Sequence, residues 1–151
     1  MVENKKAVWA AVIVILCSLV RTGYGFNEGQ LRQLIATNQC PGCDLSNANL
    51  SGANLFRANL AGANLAGAYI SDANLAGANL SKANLAGAFL NEAYLANANL
   101  AEANLAEAKM FAAVLVDTNL SGTVLTGAKL SAALWVDGKR CAEGSVGECK
   151  K

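Results

Sequence analysis

From Ala48 to Gly77 the chain reads ANLSG ANLFR ANLAG ANLAG AYISD ANLAG, and this five-residue unit runs without insertion from Asp44 to Ala132. An apolar residue recurs at every fifth position, from Leu45 through Ile70 and Met110 to Leu130, giving eighteen consecutive copies. Two positions earlier stands a small residue, nearly always Ala, and directly before the apolar residue usually an Asn. Five residues advance an α-helix by about 500°, which would scatter successive Leu side chains about 140° apart around the axis. Recurring Asn and Gly also disfavour helix, and simple strand alternation has a period of two, which five does not divide. A fixed five-residue unit can instead form one short side of a coil and then turn. If four units close a square coil, residues twenty apart stack at the spacing of neighbouring strands, about 4.8 Å. The Leu side chains then fill a narrow core in which Ala leaves them room, and burying each Leu is worth roughly 1.5–3 kcal/mol.

The unit resembles that of the pentapeptide-repeat family, and the resemblance covers Cys43 to about Trp135. It implies an all-β fold, a right-handed quadrilateral parallel β-helix with four repeats per coil. The eighteen copies then make 4.5 coils, a stubby rod of stacked strands about 22 Å long. Open ends of such a rod invite fibril growth and need covers. Asn27-Glu-Gly-Gln30 reads as a variant capping box opening a short helix through about Thr37, with Leu31, Leu34 and Ile35 free to lie on the first coil. Past Leu130 the pattern breaks into Leu134-Trp135-Val136, followed by the turn signal Asp137-Gly138 and a Cys-bearing tail. The expected organisation is a signal peptide over 1–25, a cap helix with its linker over 26–42, the repeat solenoid over 43–135 and a C-terminal cap over 136–151.

The signal-peptide expectation rests on Lys5 and Lys6, the apolar run from Ala7 to Val20, and the small residues Gly23 and Gly25, with cleavage placed after Gly25. Retention as an uncleaved anchor is the alternative. A lipid anchor at Cys17 is disfavoured by Leu16, where a lipoprotein signal wants Gly, Ala or Ser. Cleavage would remove Lys5, Lys6, Arg21 and Glu3, moving the formal net charge from +1 to −1. A nearly neutral chain has no broad basic field for nucleic acid and no acidic field that imitates it.

Export leaves Cys40, Cys43, Cys141 and Cys149, which allow three pairings. In the rod that the resemblance implies, two of these would join opposite ends, beyond the roughly 7 Å that bridged Cα atoms permit. Cys40–Cys43 and Cys141–Cys149 remain, each stapling one cap in an oxidising compartment. Cys40-Pro-Gly-Cys43 also has the spacing of a redox dithiol, but no helix N-terminus, His or Lys is expected beside it to acidify the nucleophile, so a staple is favoured. The chain contains no His, which excludes His-based acid–base catalysis and Ser/His or Cys/His nucleophile pairs. No cofactor, metal set or small-molecule substrate is expected.

Departures from the repeat are where specificity resides. The Asn columns are expected to hydrogen-bond along the rod, and Lys82 and Glu102 to stack as an exposed pair. Glu92, Glu102 and Glu107 are read as solvated corners, since a convex rod has no cleft to raise a carboxyl pKa. In the column Asn49, Tyr69, Phe89, Lys109, Lys129, aromatic and then basic residues replace Asn. With Phe111 on the same side and Tyr94 on the adjoining one, Tyr69, Phe89, Tyr94, Phe111, Lys109 and Lys129 form either a protein-docking patch or a ladder of stacked aromatics that serves stability. The expected role is a non-enzymatic, exported structural or interaction module with a protein partner, in the periplasm or, following the cyanobacterial resemblance, the thylakoid lumen. Some members of that family mimic DNA and bind DNA gyrase, an alternative disfavoured here by the charge near −1, the short rod and the export signal. A thiol-disulfide redox protein using Cys40 and Cys43 is the lesser alternative.

Overall fold

The computed structural model describes residues 25–151, and the expected signal segment lies outside them apart from Gly25. Residues 43–135 wind into a four-sided parallel coil in which each outward residue bridges its counterpart twenty positions on, as in Asn49 with Tyr69 and Tyr69 with Phe89. Both backbone groups join the ladder: Leu50 N donates to Tyr69 O at 2.7 Å, and Tyr69 N donates to Ala48 O at 2.9 Å. Each side contributes a single bridge and no longer strand. The reason is length, since each side spends three residues on the flat and two on the corner. Corners close through a bond such as Ala53 N to Leu50 O, 3.0 Å, with the second corner residue at a φ near +60°. Gly52 and Gly62 take this conformation without strain, whereas Arg57, Lys82 and Glu92 are held there by N–H donation to the next coil, as Lys82 N donates to Ala101 O at 2.9 Å.

Four outward columns follow. Side 1 carries Asp44, Asn64, Asn84, Asn104 and Val124. Side 2 carries Asn49, Tyr69, Phe89, Lys109 and Lys129. Side 3 carries Asn54, Asn74, Tyr94, Val114 and Leu134, and side 4 carries Gln39, Asn59, Asn79, Asn99 and Asn119. Inward, the central Leu residues and their small partners form one continuous core, with Leu60, Leu80 and Leu100 fully buried. Thr118 and Thr123 replace Ala in the last full coil, and their hydroxyls donate to Leu95 O and Leu100 O at 2.9 and 2.8 Å, so neither polar group is stranded.

Helix α1, Glu28–Thr37, closes the first coil with Leu31 and Leu34 buried and Ile35 packed against the core. Asn27 caps it by accepting from Gln30 N at 3.2 Å. The Gln30 side chain does not complete the capping box. Its carboxamide oxygen accepts from Asp44 N at 2.7 Å while Asn27 N donates to Asp44 O at 3.0 Å, so both groups tie α1 to the coil.

At the other end the ladder continues through Leu134, which pairs with Val114. The chain then reverses at Gly138 and runs back antiparallel, Leu134 opposite Arg140 and Lys129 opposite Val146. The tail therefore covers sides 2 and 3 of the last coil. Sides 4 and 1 keep Leu120 and Leu125 only half-buried, and Val124 is 46% exposed. The expectation of a covered C-terminal end holds for two of four sides, because the tail doubles back along the sides it has just left. Among the described residues no helix is long and apolar enough to cross a membrane.

Candidate functional site

The amide columns fix what is ordinary for this rod. On side 1 the Nδ2 groups of Asn64, Asn84 and Asn104 donate to the preceding coil's Oδ1 at 3.1, 3.3 and 3.3 Å. On side 4 Asn99 and Asn119 do the same at 3.4 and 3.1 Å. Most of these oxygens also accept from the backbone N–H two residues on, as Asn84 Oδ1 does from Ala86 N at 3.2 Å. Asn thus holds the corner as well as the column, a local role that residue spacing alone does not disclose. Asp44 begins column 1 as an acceptor from Ser46 and Asn64, and these bonds, Ser46 foremost, hold its carboxyl below the usual range against a small opposing effect of burial.

Side 2 departs from that frame. Tyr69 and Phe89 stack with ring centroids 4.8 Å apart and planes 9° from parallel, and Lys109 Nζ lies 4.0 Å from the Phe89 centroid. Tyr69 remains 44% exposed, so the stack serves as a surface as well as a ladder. Lys129 follows Lys109 in the column and is exposed. Phe111 stands at the corner between sides 2 and 3, 52% exposed, its N–H donating to Asn91 Oδ1 at 3.1 Å. Tyr94 sits on side 3, also exposed. Four of the six expected patch residues therefore share one column, and the other two flank it around one corner.

Two features escaped the sequence reading. Phe56, exposed at the corner after side 3, lies under the Arg57 guanidinium at 5.1 Å. A recess of about 620 Å³ opens beside Phe111, walled by Ser131 and the returning tail residues Arg140, Cys141 and Glu143. Aromatic character at positions 56 and 111 was visible in the sequence, but the path of the tail was not.

The three Glu residues read as solvated corners occupy separate corners and form no cluster. Glu102 pairs with Lys82 at 3.9 Å, both exposed. Glu107 folds over the bare Cα of Gly127, where an added Cβ would meet its carboxylate. Cys40 is bonded to Cys43 and Cys141 to Cys149, with Cα separations of 5.4 and 5.0 Å. Both sulfurs of the first pair are buried, which leaves no approach for a substrate disulfide. The second pins the tail, and Asp137 is held below the usual carboxylate range first by its hydrogen bond to the Lys151 ammonium. No His, Cys, Asp or Glu grouping able to hold a metal ion exists among the described residues.

The family model for pentapeptide repeats matches in eight copies, over residues 43–81, 73–111 and 103–133. Solved structures similar to the chain include a pentapeptide repeat protein from Nostoc PCC 7120, at 30% identity over 68% of this chain and 78% of that one, with a TM-score of 0.48. Another is a pentapeptide repeat protein from the Arabidopsis thaliana thylakoid lumen, at 28% identity over 85% of this chain and 92% of that one, with a TM-score of 0.39. No curated protein matches the chain.

Proposed function

Because the chain belongs to the pentapeptide-repeat family, we propose that it is a non-enzymatic, exported interaction module, a rigid right-handed quadrilateral β-helix whose side 2 docks a protein partner. One observation carries this reading. Sides 1 and 4 keep the amide column along most of their length, while side 2 replaces it with a Tyr69–Phe89 stack capped by Lys109 and followed by Lys129. An amide column satisfies its own hydrogen bonds. An exposed aromatic stack beside unpaired ammonium groups leaves large apolar faces and charge for a partner to cover, the composition typical of the anchoring centre of an interface.

Export is supported by the Lys5-Lys6 and Ala7–Val20 pattern together with two disulfides, which persist in the periplasm or the thylakoid lumen and not in a reducing cytosol. Rigidity follows from the ladder and the continuous core, so docking would need little reorganisation of the face.

The test restores the ordinary column. The double variant Tyr69→Asn/Phe89→Asn keeps the fold and rebuilds an amide ladder on side 2. Cross-linking in the native compartment should yield a discrete adduct with the unaltered chain and lose it with the variant. The same adduct from both chains, or none from either, would overturn side 2 as the docking face. Intact mass from that compartment reads export separately, through loss of residues 1–25 and of four hydrogens.

A further inference from the structure

We propose that the recess beside Phe111 is the anchoring pocket of the docking face, and that it takes one large apolar side chain from an extended acidic segment of a partner protein. This inference rests on the reading of side 2 as a docking face and adds where the partner is gripped and by what chemistry.

Phe111 occupies a corner column whose neighbours above and below are Asn91 and Ser131, too small to cover its ring. The aromatic face therefore borders a cavity of about 620 Å³ and not another aromatic. The recess is shallow and open to solvent on its outer side, so it can cover one face of a large side chain and not enclose it.

Its far wall is fixed to the coil by several bonds. Ala132 N donates to Cys141 O at 3.2 Å, Gly144 N donates to Ser131 Oγ at 3.0 Å, and the Cys141–Cys149 bridge closes the tail. Arg140 Nη1 donates to Ala132 O at 3.3 Å, which holds the guanidinium on the wall of the recess with other donors still available. A pocket built this way does not have to be ordered by its ligand.

Charge chooses the partner. Lys109, Lys129 and Arg140 lie on sides 2 and 3 of the last coils, and none is in an ion pair among the described residues. Glu143 in the recess, Glu92, whose N–H donates to Phe111 O at 2.8 Å, and Glu107, two residues before Lys109, oppose them in part, which leaves Arg140 and the Lys129 end of the column as the cationic side. Arg140 lines the recess, and Lys109 and Lys129 stand in the adjoining column two residues before Phe111 and Ser131, an arrangement that fits a segment with carboxylates along that column and an apolar side chain at the corner. Arg140 can hold a carboxylate through two parallel N–H donors.

The probe is an N-acetylated, C-amidated octapeptide of Asp and Glu with one central Phe, titrated against the full disulfide-bonded chain at low ionic strength. Binding should weaken at least fivefold for Phe111→Ser, for Arg140→Gln, and for the peptide with Ser in place of Phe, and should fade with added salt. Both altered side chains are exposed, so these variants should melt with the unaltered chain. Binding lost in Lys109→Gln/Lys129→Gln but unchanged in Phe111→Ser and Arg140→Gln would overturn the recess while leaving side 2 as the docking face. No binding, or equal binding of a Lys-substituted peptide, would overturn the inference, and the Tyr69/Phe89 cross-linking result reads the docking face independently.

Discussion

Leu80→Ala and Leu120→Ala are the same chemical change in the same side-4 ladder, and they should have different costs. Leu80 is fully buried between Leu60 and Leu100. Its truncation leaves a cavity that the flat, hydrogen-bonded sides cannot collapse, because each neighbouring backbone is held from above and below by bonds such as Leu80 N to Asn99 O, 2.8 Å. For such a site the expected cost is about 3 kcal/mol, within the span of Leu→Ala changes in rigid cores. Leu120 has Leu100 on one side and no repeat residue on the other, and it is only half-buried. It loses contacts on one face and opens onto solvent, so its cost should be about half as large. Denaturant unfolding followed by circular dichroism measures both, and for a chain of this size 3 kcal/mol corresponds to a melting-temperature drop of roughly 10 °C. Equal costs for the two variants would refute the claim that two-sided stacking governs the core. So would a Leu80→Ala cost below about 1 kcal/mol, since it would mean that the rod can repack around the void.

Other substitutions probe the outer layers. Asn84→Ala removes the donation to Asn64 Oδ1, the acceptance from Asn104 and the hold on Ala86 N, and should lower stability by about 1–2 kcal/mol in the same unfolding experiment. Gly127→Ala puts a Cβ at a φ of +73° and should lower the melting temperature; the exposed Glu107 carboxylate swings aside at little cost, so adding Glu107→Ala should recover almost none of the loss. Asp44 has a folded-state pKa below its unfolded value, so its contribution is present above about pH 4 and is lost as pH falls through the folded value. Asp44→Asn should therefore melt below the unaltered chain at pH 7, with the gap closing by pH 2; a gap independent of pH would remove the charge from the explanation.

Legibility followed the physical range of each signal. The coil could be read because every unit repeats the same local instruction, an inward Leu, a small partner and a corner at positive φ, and eighteen copies leave one register. Helix α1 could be read from Asn27 and the spacing of Leu31 and Leu34, since capping and helical periodicity act over a few residues. What Gln30 does could not be read this way. Its carboxamide had two acceptable donors, its own helix terminus and Asp44 N, and the choice depended on where the first coil lay. The column Tyr69, Phe89, Lys109, Lys129 was legible because a lag of twenty turns sequence into contact.

The tail shows where that translation stops. From Asp137 onward no period relates position to place, and the two sides that the tail would cover depended on the direction of one reversal at Gly138. That reversal sets Arg140 across from Leu134 and brings Cys141 and Glu143 beside Phe111, turning an isolated aromatic into the wall of a recess. It also leaves Leu120 and Leu125 at a half-open end. Both consequences arise from one non-repeating segment of sixteen residues, 136–151, packed on a lattice of repeats. The lattice supplies rigid, regularly spaced positions, and the irregular tail meets it where Arg140, opposite Leu134, and Phe111 line one recess, which is the contact the proposed anchoring tests.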